Sequence, residues 1–286
     1  MPEVLYKYTN TETAKLILQT STLRWSSPLL FNDPFDVRRE FSFGFDFNSL
    51  LDEVVECYLH TNINELPPML LHIRTSIPTD QQRHVFLKLA REQIQSIQNT
   101  LLTHDRNDYQ PRLREARILC LAENFDQPLL WSHYGDSHRG VVLGFGEGDK
   151  ESPWKVAKKI NYCNLNDCVQ SRQDWVRTVC TLKTMPDVQS VSNALFFTKS
   201  LDWSYENEWR LVHKRNPKED PNILYSDRNF IPPELKSIHF GCSISSADQK
   251  AIEDACSTFG FSPQMYRGHI RRYSVCPDFE DLGEVH

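Results

Sequence analysis

Val4 to Tyr8 reads as a short strand, and Ala14, Ile17 and Leu18 then recur at the spacing of an amphipathic helix. Thr9 with Glu12 three positions on has the form of a capping box for that helix. Leu23-Arg24-Trp25-Ser26-Ser27 predicts a second strand, stopped by Pro28, and Asn32-Asp33-Pro34 predicts a turn. From about residue 46 the period changes. Leu50, Leu51, Val54, Val55, Tyr58 and Leu59 are spaced as on a helix. Pro67-Pro68 and Pro78 interrupt the pattern, and Thr79-Asp80 opens a longer helix carrying Phe86, Leu89, Ile94, Ile97 and Leu101.

Strand-like runs return at Ile118–Ala122, Gly140–Phe145 and Val156–Tyr162. A helix is predicted over Gln170–Lys183. Leu195–Lys199 and Glu208–His213 read as a strand pair joined through Trp203-Ser204-Tyr205. Leu235–Gly241 is a late strand, Ser246–Phe259 a helix with Ile252, Ala255 and Cys256 inward, and Tyr266–Val275 a last strand. This order is not a regular strand-helix-strand series. It predicts an α+β fold with a mixed, mostly antiparallel sheet. The expected division is a core of residues 1–45 and 116–275, a helical insertion over 46–115, and a frayed tail over 276–286.

Composition narrows the function classes. The chain has 286 residues, 40% of them hydrophobic, enough for a sizeable core. The net charge of -6 does not favour nonspecific nucleic-acid binding. No apolar run reaches the ~20 residues of a membrane span, and Met1-Pro2-Glu3-Val4 lacks a basic-then-apolar leader pattern. None of the eight cysteines forms a Cys-x-x-Cys pair. The expectation is a cytoplasmic protein with reduced, mostly buried thiols and no structural zinc.

Three stretches combine rings with acids, the second of them with two imidazoles as well: Phe31 to Asp36, Trp131 to Gly140, and Tyr205 to Arg210. Glu206 and Glu208 would share one face of an extended strand and could divide hydroxyl orientation and proton transfer between them. A solvent-facing acidic strand end paired to Arg210 is the plain alternative. His133 suits a substrate hydrogen bond better than a metal, because Gly135 interrupts the helix that a two-histidine zinc site needs. Arg139 could hold a phosphate or be a surface cation. Asn32 and Asp36 belong either to turn chemistry or to a loop closing on a ligand. Lys7 faces away from Tyr6 and Tyr8, and needs an anionic partner if its face is buried. No nucleophile elbow and no phosphate-binding glycine loop is present.

Taken together, "LYKY", "LRWSSPLLFNDPFD", "LLWSHYGDSHRGVVLGF" and "WSYENEWRLV" resemble a bacterial and phage-associated family of unknown function. The opening strand-helix-strand is also similar to the ADP-ribosyltransferase-like superfamily. That second resemblance implies a split sheet and NAD as the substrate. It puts Lys7 where the superfamily carries a histidine, and makes Glu206 and Glu208 the Glu-x-Glu element. Catalysis would then rest on Glu208, Glu206 and His133. Lys7, Tyr8, Asn32, Asp36, Trp131, Tyr134, Arg139, Trp203 and Arg210 would bind the nucleotide. A nucleic-acid or protein acceptor, a role as a toxin or phage-defence effector, and an antitoxin or defence-system partner belong to the same implication. Lys7 in place of histidine and the absence of a Ser-Thr-Ser element depart from that pattern. Two other classes stay open: a nuclease or other phosphate-ester enzyme, and a non-catalytic nucleotide- or protein-binding sensor.

Overall fold

The structure is a computed structural model that describes residues 2–37, 46–104, 109–148, 152–163, 172–181, 196–271 and 277–284. The chain divides into two compact units. The first comprises Met1–Asn32, Arg114–Asn161 and Asp202–His286, the second Asp33–Leu113 and Tyr162–Leu201.

The first unit opens with strand β1 (Val4–Thr9), helix α1 (Thr11–Thr20) and strand β2 (Thr22–Ser26). The cap of α1 is Asn10, not Thr9. Its side chain accepts from the Thr13 amide at 2.7 Å, because Thr9 is still paired in β1. After the second unit's first segment come β3 (Ala116–Ala122), the short helix α6 (Pro128–His133) and β4 (Val141–Gly146). The expected strand over 156–162 is instead a 3-10 turn, Pro153–Val156, and two short strands, β5 (Lys158–Lys159) and β6 (Asn161–Cys163). The unit continues with β8 (Glu208–Lys214), β9 (Tyr225–Asn229) and β10 (Leu235–Phe240). Helix α8 (Ser246–Phe259) and strands β11 (Gln264–His269) and β12 (Asp278–Glu284) complete it. Strand β12 replaces the expected frayed tail, and β9 has no counterpart in the apolar pattern.

These strands, β6 excepted, build a ten-stranded sheet in the order β12-β11-β10-β4-β1-β3-β2-β9, with β8 on β3 and β5 on β8. All its pairs are antiparallel except β10 with β11, which α8 connects. The expected mixed, mostly antiparallel α+β architecture is therefore what the chain forms. Strand β3 zips to β8 over its whole length, from Ala116↔Lys214 to Ala122↔Glu208. On its other side it meets β1 at Tyr6↔Ala122 and β2 at Ser26↔Ile118. The sheet thus divides along β3. The Lys7 Nζ donates to the Cys120 carbonyl there at 3.2 Å.

One face of the sheet buries Leu5, Leu119, Leu143 and Phe240 under Ile17 and Leu18 of α1 and Ile252 and Cys256 of α8. The other face is aromatic. Tyr8, Ala122, Leu130, Trp131 and Val142 are buried there, with Tyr6, Phe125, Tyr134, Tyr205 and Phe279 packed against them.

The second unit has its own core. Helices α2 (Leu51–His60), α3 (Pro68–Ser76), α4 (Thr79–His104) and α7 (Arg172–Thr181) contribute Val54, Tyr58, Leu70, Phe86, Ile94, Trp175 and Val179 to it. The unit extends beyond the expected 46–115, because the later segment carrying α7 packs on α2. The strand expected over 195–199 is β7 (Thr198–Ser200), which pairs with β6; residue 195 lies outside the described residues. The short helix α5 (Gln110–Glu115) leads back into β3. Cys57 of α2 and Cys180 of α7 form a disulfide, and Cys163 is disulfide-bonded as well, against the expectation of reduced thiols throughout. Among the described residues no helix is long and apolar enough to cross a membrane.

Candidate functional site

The site grows from the two ends of the stretch between α6 and β8. Pro128 opens α6, where a missing amide costs nothing, and Trp131 anchors it. That ring is wholly buried, its Nε1 donates to the Phe125 carbonyl at 2.7 Å, and Tyr8 packs edge-on against it at 5.4 Å. Trp131 is therefore a foundation under the site rather than a surface for stacking. Burial holds the Tyr8 hydroxyl in its protonated form, and it donates to the Asn124 carbonyl at 2.8 Å.

Helix α6 ends in an unusual turn. Asp136, Ser137 and His138 take φ values of 49°, 52° and 65°, left-handed conformations that cost a non-glycine residue roughly 1–2 kcal/mol each. Backbone bonds hold it: His138 N to Trp131 O, Gly140 N to Gly135 O, and Ser243 N to His138 O. A Cβ on Gly140 would stand 2.2 Å from the Thr9 carbonyl, so only glycine lets the turn lie on β1. Arg139 turns back onto Asp136, with its guanidinium 2.9 Å from the Asp136 carboxylate.

The turn leaves Tyr134 half-buried at the site. Its hydroxyl donates to Glu206 Oε1 at 3.0 Å and accepts from Asn32 Nδ2 at 3.4 Å. Three residues from distant parts of the sequence thus form one hydrogen-bonded chain. Glu206 does not lie on the strand. It closes a 3-10 turn over Leu201–Glu206, and Asn207 follows at φ 43° before β8 begins at Glu208. The two glutamates are therefore not related by a strand's period of two. Both are almost fully buried.

Glu208 meets Arg210 in a two-pronged ion pair, Nε to Oε1 at 2.6 Å and a terminal nitrogen to Oε2 at 3.0 Å. Phe31 lies 5.4 Å from the guanidinium. The Cys120 thiol also bonds Glu208, and desolvation, reinforced by the Glu208 charge, drives it strongly toward the protonated form. Cys120 escaped the sequence reading because an apolar strand is where an ordinary core cysteine sits.

Rings border the Glu206 end. Trp203 and Tyr205 lie 6.0 Å apart, Tyr205 and His133 6.4 Å, and His133 and Tyr134 6.2 Å. His133 is exposed and the other three are partly so. The structure therefore brings together Asn32, His133, Tyr134, Trp203, Tyr205 and Glu206. Glu208 and Arg210 form an adjoining ion pair, with Lys7 bonded to the nearby Cys120 carbonyl. Arg139 is bonded within its own turn. Asp36 belongs to the second unit, where Lys199 stands 3.6 Å from it. Among the described residues no three His, Cys, Asp or Glu side chains converge as a metal site would need.

Residues 130–211 match the family model described as a protein of unknown function, DUF2971. The DUF2971 stretch starts within α6 and ends in β8. It contains the left-handed turn, Tyr134, the ring-bearing 3-10 turn, Glu206 and the Glu208–Arg210 pair. No curated protein and no solved structure matches the chain.

Proposed function

We propose that this site binds a nucleotide carrying a cationic, planar ring and cleaves the bond between that ring and its ribose, as an NAD-using ADP-ribosyltransferase-like enzyme would. The observation that carries the reading is the row Trp203–Tyr205–His133–Tyr134 beside the Glu206 carboxylate. Electron-rich ring faces and a carboxylate together favour a flat cation over a phosphate or a neutral apolar group. The nicotinamide ring of NAD is such a cation.

Breaking its bond to the ribose carbon sends the bonding electrons to the ring, which leaves neutral, and positive charge builds on the ribose. Glu206 would accept a hydrogen bond from a ribose hydroxyl and stabilise that charge. Tyr134 holds Glu206 in place through its hydroxyl. Glu208 adds a second negative charge, offset by the Arg210 fork. An acceptor nucleophile on nucleic acid or protein, or water, then attacks the ribose carbon and loses its proton. A toxin or defence role would follow from the acceptor.

The fork favours one second reading. With both Glu208 oxygens engaged by Arg210, the same rings could serve recognition alone, in a binding or sensor module. Nicotinamide release from NAD by the full chain separates the two. Turnover that falls about 100-fold in Glu206→Gln supports the enzyme. NAD binding without release points to the module, and no binding by folded protein removes both.

A further inference from the structure

We propose that Cys57 and Cys180 form a reversible thiol–disulfide staple that fastens α7 to α2 under oxidising conditions and releases that hold when reduced. The two residues lie 123 positions apart in sequence, and their Cα atoms are 6.3 Å apart, within the span a disulfide bridges without backbone movement. The bond therefore joins two segments that the rest of the chain separates.

Helix α7 is described over Arg172–Thr181, and among the described residues noncovalent contacts also hold it. Trp175 and Val179 enter the core with Tyr58 and Phe86, the Tyr58 hydroxyl donates to the Val179 carbonyl at 3.3 Å, and Arg172 bonds Glu53 and Ser49. A covalent link closing so long a loop removes much of the freedom α7 gains on detaching. Cys180 is buried while Cys57 is half-buried on α2, so Cys57 is the sulfur a small reagent meets first.

The exchange balances with a small disulfide as oxidant. The Cys57 thiolate attacks one sulfur of the reagent, forming a mixed disulfide and expelling one thiolate. The Cys180 thiolate then attacks the Cys57 sulfur and expels the second. The two protons lost by the cysteines convert the expelled thiolates to thiols. Excess small thiol drives the same steps backwards.

The test uses the full chain, incubated with oxidised and then with reduced glutathione. After alkylation, tryptic peptides are weighed and thermal unfolding is followed. The proposal expects the Cys57 and Cys180 peptides joined after the first treatment and separately alkylated after the second. It also expects the unfolding midpoint of the second unit to rise by about 5 °C or more on oxidation. Cys57→Ser should abolish that rise while folding normally, which separates the staple from the bond at Cys163. Both cysteines alkylated after oxidised glutathione would overturn the proposal. So would a bond that reduced glutathione leaves intact, or a midpoint shift that survives in Cys57→Ser.

Discussion

Glu208 and Arg210 stand two residues apart on β8, and their charges meet almost entirely out of water. Removing one half of such a pair costs far more than an exposed pair would, because the remaining charge was desolvated to fit its partner. Glu208→Gln should lower stability by roughly 2 kcal/mol or more, seen as a reduced urea midpoint. Loss of turnover in that variant therefore has to be read beside its stability. His239 makes a second residue-level case. Its imidazole lies stacked between Phe125 at 4.1 Å and Tyr266 at 4.7 Å, and burial pulls its pKa down to about 3. The unfolded chain binds that proton near pH 6.5, so it holds more protons than the folded chain between about pH 3 and 6.5. Stability of the first unit should fall as pH is lowered through that window, by roughly 5 kcal/mol at most. His239→Phe should flatten the fall, as measured by urea unfolding at a series of pH values.

At the scale of elements, β12 shows how a polar stretch becomes structure. Its sequence, Asp278-Phe279-Glu280-Asp281-Leu282-Gly283-Glu284, has little apolar content and no strong strand signal. Pairing with β11 supplies its backbone bonds, and Phe279 packs against Phe125, Trp131 and His239. Phe279→Ala should cost roughly 2 kcal/mol, less than a fully buried ring, and lower the unfolding midpoint of the first unit. Helix α8 is the opposite case: it was legible to the residue, with Ser245 capping the Asp248 amide and Gly260 ending it at φ 74°. Local chemistry sets both of its ends. Thr9 and Asn10 are both good caps for α1 by residue type, and only the β1 ladder decides between them.

At the scale of the molecule, the chain leaves its sheet after Asn32, builds a helical unit, returns, and leaves again between Asn161 and Asp202. Each unit buries its own apolar cluster. Unfolding should therefore depart from a single two-state transition in calorimetry. Phe86→Ala, in the centre of the helical core, should lower one component by roughly 3 kcal/mol and leave the other near its original midpoint.

The sequence by itself determined what is local. Apolar period marked β1, β3, β4, β10 and the amphipathic helices, and the order of elements marked the α+β class. Mixed aromatic and acidic phrases marked the candidate polar residues. Tertiary structure alone decided which of those residues meet. Asn32, Tyr134 and Glu206 join because a left-handed turn and a 3-10 turn, neither visible in any periodicity, bring their side chains together. Trp131 went to the core and Arg139 to its own turn because burial and backbone geometry depend on neighbours far along the chain. The Cys57–Cys180 bond is of the same kind, since no spacing rule links two cysteines 123 residues apart until their helices pack.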